Sequence, residues 1–87
     1  MASFEIEWKR SAVRELRKLP KEIVVRLVAA VEALAQDPHP IGARKLAGSQ
    51  HTYRIREGSY RVIYEVDAST VVITIVRVGH RREIYRR

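Results

Sequence analysis

Five residues in the second half of the chain carry side chains suited to binding a phosphate group. Four are arginines and the fifth is a tyrosine: Arg54, Arg56, Arg61, Arg81 and Tyr85. A guanidinium group binds phosphate through two parallel hydrogen bonds, and a tyrosine ring stacks on nucleic-acid bases. Acidic residues are fewer in this stretch, so we expect the group to bind an anion.

The whole chain has an excess of positive charge. Seventeen lysines and arginines face ten aspartates and glutamates, for a formal net charge of +7. This charge favours a polyanionic partner, which could be nucleic acid, an acidic protein or an anionic membrane surface; a soluble domain with a high isoelectric point is the alternative. Further basic residues predicted to contact nucleic acid are Arg44, Lys45, Arg77, Arg82 and Arg86.

Other kinds of site have little support. The absence of cysteine excludes disulfides and thiolate metal sites. His39, His51 and His80 are scattered, so no metal site and no cofactor is expected. The first ten residues lack the apolar region of a secretion signal, and no apolar run approaches the ~20 residues of a membrane span. We therefore expect a cytoplasmic protein with no membrane partner.

The hydrophobic periodicity predicts the elements that must position these residues. Alternation around Phe4 to Trp8 indicates a strand, and helical spacing indicates one helix over 9–18 and another from Pro20 to Gln36. The segment 37–42 contains two prolines and a glycine, which end the helical pattern. Strands are predicted over 50–56, 60–66 and 71–78, and the third is apolar enough to be an interior strand buried on both faces.

The 87 residues are predicted to form a single α+β domain over 1–87. An N-terminal strand and a helical hairpin precede an antiparallel three-stranded meander. The two helices should pack on one face of the small twisted sheet.

A hairpin loop at Glu57 and Gly58 would place Arg54 opposite Arg61, with Arg56 on the same face. Two cations facing each other across a ladder destabilise a sheet by up to about 1 kcal/mol. An anion between them would relieve this repulsion, whereas Glu65 on the same face could instead form an ion pair. A turn at Gly79 would fold Arg81 and Arg82 back over this face.

The sequence blocks around these residues resemble a known family. The stretch LAGSQHTYRIREGSYRVIYEV, followed by VRVGHRREIY, is similar to the RelE/ParE superfamily of toxins from type II toxin–antitoxin systems. The likeness extends to LRKLP and to the DPHP segment that precedes Arg44. It implies a compact toxin that a cognate antitoxin inhibits, within a toxin–antitoxin hetero-oligomer.

The two branches of the superfamily imply different targets. RelE-type toxins enter the ribosomal A site, where mRNA and rRNA surround them, and cleave the mRNA without metal by attack of a ribose 2′-hydroxyl on the adjacent phosphate. ParE-type toxins inhibit DNA gyrase. A module that binds nucleic acid or an acidic partner without catalysis is a third possibility.

By position, the resemblance implies a role for each of the five residues and favours the RelE branch. Arg54 and Arg56 match basic hairpin residues, Arg61 matches the arginine that holds the scissile phosphate, and Arg81 lies near the leaving oxygen. Tyr85 matches the tyrosine that stacks on the substrate base.

The general base is left open by the sequence. Arginine stays protonated, and histidine is the residue type whose unperturbed pKa suits a general base, which makes His80 the nearby candidate. His80 is either that base or simply a turn residue. Charge stabilisation by Arg61 and Arg81 could instead account for catalysis.

Overall fold

The computed structural model describes residues 3–84, so Tyr85, Arg86 and Arg87 lie outside the described residues. The described residues form five strands and three helices. The strands are β1 (Glu5–Trp8), β2 (Arg44–Lys45), β3 (Thr52–Glu57), β4 (Tyr60–Asp67) and β5 (Val72–His80), and the helices are α1 (Arg10–Arg17), α2 (Lys21–Ala33) and α3 (Arg81–Ile84).

One five-stranded sheet has the order β1-β5-β4-β3-β2. β1 runs parallel to β5, and every other pair is antiparallel. The predicted α+β architecture, with its N-terminal strand, helical hairpin and meander, is confirmed. β2 and α3 were not predicted, because elements of two and four residues are too short to show a hydrophobic period. In the described part of the chain, no helix is long and apolar enough to cross a membrane.

The main core lies between the two long helices and one face of the sheet. Apolar side chains spaced three or four apart form the helix side of this core, and alternate residues of β3, β4 and β5 form the sheet side. The fully enclosed members are Ala12, Leu27, Val31, Val62, Tyr64, Ile73 and Ile75.

β5 has a neighbouring strand on each side, as the prediction of an interior strand requires. The prediction that it is buried on both faces was wrong, because Ile73 and Ile75 are buried whereas the neighbouring Thr74 and Val76 are only half-buried. The helical hairpin covers only one face of the sheet.

Tyr64 links the segment between α2 and β2 to the core through a hydrogen bond. The hydroxyl of this buried side chain donates a hydrogen bond of 2.7 Å to the carbonyl oxygen of Pro38. Its ring stacks on Tyr53 with a centroid distance of 5.9 Å, and Tyr53 in turn contacts the His39 ring. Burial, with a smaller contribution from Tyr53, raises the pKa of Tyr64 to about 12.

Substituting Tyr64→Phe is expected to lower the free energy of unfolding by about 1 kcal/mol, because it removes one buried hydrogen bond and leaves a carbonyl oxygen without its donor. Urea denaturation checks the change. Tyr53→Phe is the matched control, since it removes a hydroxyl from the adjacent stacked ring. Equal losses in the two variants would contradict the importance of the bond to Pro38.

The pKa of Tyr64 also predicts a loss of stability in base. The folded state keeps a phenol proton that the unfolded chain releases near the ordinary pKa of 10.0. This contribution to stability is therefore complete below about pH 10 and disappears as the pH rises through about 12. We expect the free energy of unfolding, measured at about pH 9 and about pH 11, to fall more in the wild type than in Tyr64→Phe. Parallel losses would contradict the assignment.

Candidate nucleic-acid interface

The β3–β4 hairpin turns at Gly58 and Ser59, because Glu57 still pairs with Tyr60. Gly58 has a φ of 61°, a left-handed conformation that suits glycine at the first position of a two-residue hairpin loop. Arg56 consequently lies opposite Arg61. The predicted pairing of Arg54 with Arg61 was wrong by two positions.

The shared face of these arginines was predicted correctly. A loop displaced by one residue moves each cross-strand partner by two positions, and side chains repeat their direction every two residues. Arg54 lies opposite Ile63, on the same face as the pair Arg56 and Arg61. We call the residues Arg44, Arg54, Arg56 and Arg61 the arginine face.

The short strand β2 adds Arg44 to this face. Arg44 pairs with Arg54, whereas Lys45 pairs with Tyr53 and so lies on the opposite face. The structure therefore brings Arg44 to the predicted site and separates Lys45 from it. Arg44 and Arg56 are exposed, and Arg54 between them is half-buried.

Arg61 is the buried cation of the site, with 7% of its surface exposed. Its Nη1 donates to the carbonyl oxygens of Tyr60, at 3.2 Å, and Gly58, at 3.4 Å. Its buried Nε has no acceptor, and no carboxylate within the described residues forms an ion pair with it. A buried donor and charge without a counterion cost free energy, and an anion bound here would offset that cost.

The alternative that Glu65 neutralises this cluster has no support in the geometry. Glu65 shares the face but pairs with Thr52 and Thr74, toward the far end of the hairpin. It is exposed, and among residues 3–84 it makes no ion pair with Arg61.

A β-bulge shapes the β5 side of the site. Tyr64 pairs with Ile75 while its neighbour Ile63 pairs with Arg77, so β5 has one extra residue, Val76. The extra residue reverses the alternation of the strand. As a result Arg77 and Gly79 lie on the arginine side of the sheet, with Gly79 directly opposite Arg61.

Helix α3 returns over the same side. The N–H of Arg81 donates to the carbonyl oxygen of Ser59 at 2.9 Å, which ties the start of α3 to the hairpin turn. A methyl group on Gly79 would lie 3.9 Å from Cβ of Glu83, so the helix covers this glycine closely. The predicted turn at Gly79 was wrong, because Gly79 and His80 still pair within β5 and the chain turns only after them. The side chains of Arg81 and Arg82 are exposed, and their place over the arginine face stays a prediction.

His80 is not brought together with Arg61. It pairs with Tyr60, so it projects from the other face of the sheet, and its ring packs edge-on against Tyr60 at a centroid distance of 5.6 Å. Its Nδ1 accepts a hydrogen bond of 3.2 Å from the N–H of Arg82. These contacts make His80 a support for the turn into α3.

The partners of Arg77 are Glu15 and Ile84, and neither contact was predicted from the sequence. The Nη2 of Arg77 lies 3.0 Å from Oε2 of Glu15 in α1, and its Nη1 donates to the carbonyl oxygen of Ile84 at 3.1 Å. Glu15 also accepts from the N–H of Val78, 63 residues away. Helical periodicity could not identify Glu15 as the partner of Arg77, because the two residues are distant in sequence.

An open groove of about 370 Å³ borders the arginine face. Ala30 and Ala33 of α2 form one wall, and the exposed Ile41 lies in the loop beside them. Arg44, Arg54 and Arg56 line the other side. The residues that the structure describes contain no cluster of three histidines or acids that could hold a metal ion.

The sequence of this chain matches those of known toxins. A family model described as the ParE toxin of the type II toxin–antitoxin system parDE matches residues 6–85. The toxin RelG of Mycobacterium tuberculosis is 36% identical over an alignment of 88 positions that covers 97% of this chain and 98% of the relative. The mRNA interferase toxin RelE of Escherichia coli K12 is 33% identical over an alignment of 89 positions that covers 98% of this chain and 92% of the relative.

The fold is also that of solved toxin structures. The toxin–antitoxin complex of archaeal RelE and RelB from Pyrococcus horikoshii matches with a TM-score of 0.81 at 31% identity, covering 91% of this chain and 96% of that chain. Sequence and fold agree over nearly the whole length. The chain belongs to the RelE/ParE superfamily of type II toxin–antitoxin toxins.

Proposed function

We propose that this toxin is an endoribonuclease that cuts mRNA in the ribosomal A site. Support comes from the name mRNA interferase carried by the Escherichia coli relative and from the composition of the arginine face. The observation that carries the proposal is the burial of Arg61 without a carboxylate partner in the described residues, directly opposite Arg56. This arrangement suits a phosphodiester better than it suits stability.

In the proposed reaction, the arginine face binds one phosphodiester of the message. Arg61 donates to its non-bridging oxygens, and Arg54 and Arg56 stabilise the additional negative charge that develops on the phosphorane. Arg81 donates to the leaving 5′-oxygen. Tyr85, which lies outside the described residues, stacks on a neighbouring base and bends the backbone so that the 2′-oxygen lies in line with the breaking bond.

The reaction is an intramolecular transesterification, in which the 2′-oxygen of one nucleotide displaces the 5′-oxygen of the next nucleotide from their shared phosphate. The 2′-oxygen forms a bond to phosphorus, the bond from phosphorus to the 5′-oxygen breaks, and the products are a 2′,3′-cyclic phosphate and a 5′-hydroxyl. The proton of the 2′-hydroxyl passes to water, and the leaving oxygen takes one from water. His80 takes no part in this scheme because it lies on the other face of the sheet.

The decisive experiment uses the purified chain with ribosomes programmed with a defined codon in the A site. Cleavage of that codon, leaving a terminal 2′,3′-cyclic phosphate, supports the proposal. The same message without ribosomes is the control. An intact message at a protein concentration that arrests translation would reject the proposal.

Gyrase inhibition is the second candidate, because the matching family model is named for a ParE toxin. A supercoiling assay run in parallel separates the two functions. Loss of supercoiling with intact mRNA favours the ParE type. Salt-sensitive RNA binding without either effect favours a module that only binds.

We further propose that a cognate antitoxin binds this chain, since the chain is similar to toxins solved with RelB. A segment with acidic and apolar side chains would complement the arginine face and the adjoining groove. Co-expression with a small protein encoded immediately beside this chain should yield one complex in which cleavage is blocked. Separate elution of the two proteins, with cleavage intact, would contradict the pairing.

A further inference from the structure

The guanidinium of Arg77 connects two helices that are far apart in sequence. Nη2 contacts Oε2 of Glu15 in α1 at 3.0 Å, and Nη1 donates to the carbonyl oxygen of Ile84 at the end of α3, at 3.1 Å. A planar group with donors in fixed directions can hold both acceptors at once, which a lysine ammonium does less specifically. The position of Ile84 is therefore coupled to α1.

Glu15 is itself held at both oxygens. β1 ends at Trp8, opposite Ile75, so the next part of β5 has no strand beside it on that edge. Oε1 of Glu15 accepts the N–H of Val78 at 2.9 Å and so replaces the missing strand. This second bond fixes the carboxylate, and the fixed carboxylate orients Arg77.

The segment that Arg77 holds carries residues of the proposed site. Helix α3 has four residues, and an isolated helix of that length is not stable in water. It is tied at its start by the bond from Arg81 to Ser59 and at its end by the bond from Arg77 to Ile84. Arg81 is the residue that forms the first tie, and the second tie holds the other end of the same helix.

We propose that Arg77, oriented by Glu15, is a positioning residue for the cleavage reaction. It holds α3 so that Arg81 meets the phosphodiester bound by Arg61, and this inference rests on the proposed function. Arg77 acts through the segment and does not itself contact RNA. This differs from the direct nucleic-acid contact expected from the sequence, and the two roles give different kinetics.

The test is Arg77→Met, with Arg14→Met as the matched control. Both variants remove one positive charge, and Arg14 is an exposed residue adjacent to Glu15. A misplacement of about 1 Å can cost about 10²-fold in rate. We expect Arg77→Met to slow cleavage at saturating ribosome concentration by at least about tenfold, with little change in the half-saturating concentration. Arg14→Met should cleave at the wild-type rate.

A double-mutant cycle with Arg81→Ala separates positioning from a general loss of stability. If Arg77 acts by positioning Arg81, Arg77→Met should slow a chain that already has Arg81→Ala much less than it slows the wild type. Glu15→Gln keeps an acceptor for Val78 but loses the charge that orients Arg77, so it should reproduce part of the same effect. Amide hydrogen exchange should accelerate at 81–84 in Arg77→Met and stay unchanged in β4.

The outcomes also distinguish this inference from the proposed function. A wild-type chain that leaves ribosome-bound message intact overturns both. The positioning role alone is overturned if the wild-type chain cleaves and Arg77→Met has the wild-type rate. It is also overturned if Arg77→Met slows the Arg81→Ala variant by the same factor as it slows the wild type. A rise in the half-saturating concentration without a change in the saturated rate would instead show that Arg77 contacts RNA directly.

Discussion

Replacing Arg61 with methionine is expected to lower the rate of mRNA cleavage by about 10²- to 10³-fold, which is the usual cost of removing one charge-stabilising donor. The same replacement should make the domain more stable. Arg61 is buried, lies opposite another arginine and leaves its Nε without an acceptor in the described structure. Methionine fills a similar volume without the charge. We expect the free energy of unfolding to rise by about 1 kcal/mol.

The opposite signs of the two effects are the diagnostic feature. Cleavage of ribosome-bound message and urea denaturation of the same protein samples measure them. Arg61→Lys is the control for charge, since an ammonium keeps the charge but lacks the two parallel donors of arginine; it should give an intermediate rate. A loss of activity accompanied by a loss of stability would show instead that Arg61 supports the hairpin.

The second large effect is expected from Arg81→Ala, which should reduce the cleavage rate at saturation by about 10²-fold. The Arg81 side chain is exposed, and its backbone N–H holds the turn through Ser59. An alanine keeps that N–H, so the melting temperature should not change. The loss would come from one donor near the leaving oxygen.

Arg82→Ala is the comparison for Arg81, because the two residues are adjacent, equally charged and both exposed. Arg82 is predicted only to bind the nucleic acid, so its loss should raise the half-saturating ribosome concentration and leave the saturated rate nearly unchanged. Rates at several ribosome concentrations separate these patterns. Identical kinetics for the two variants would contradict the special role of Arg81.

Alternation along β3 and β4 was sufficient to predict which arginines share a face. The period of two assigns Arg54, Arg56 and Arg61 to the side opposite the apolar residues Ile55 and Val62. Moving the loop by one residue changes the register by two positions, which leaves these faces unchanged. The pairing itself could not be predicted in this way. It depends on Gly58, which takes the left-handed conformation at the first loop position. The residues Glu57, Gly58 and Ser59 do not by themselves show whether the two-residue loop begins at Glu57 or at Gly58.

The sequence by itself determined the fold class and the shared face of Arg54, Arg56 and Arg61, because both follow from local periodicity. Only the tertiary structure decided that Val76 is an extra residue, that Gly79 therefore lies beside Arg61, and that Arg77 is held by Glu15. The physical reason is the range of the interactions. Side-chain alternation is a property of one strand, whereas a bulge and an ion pair across 62 residues depend on how distant elements pack.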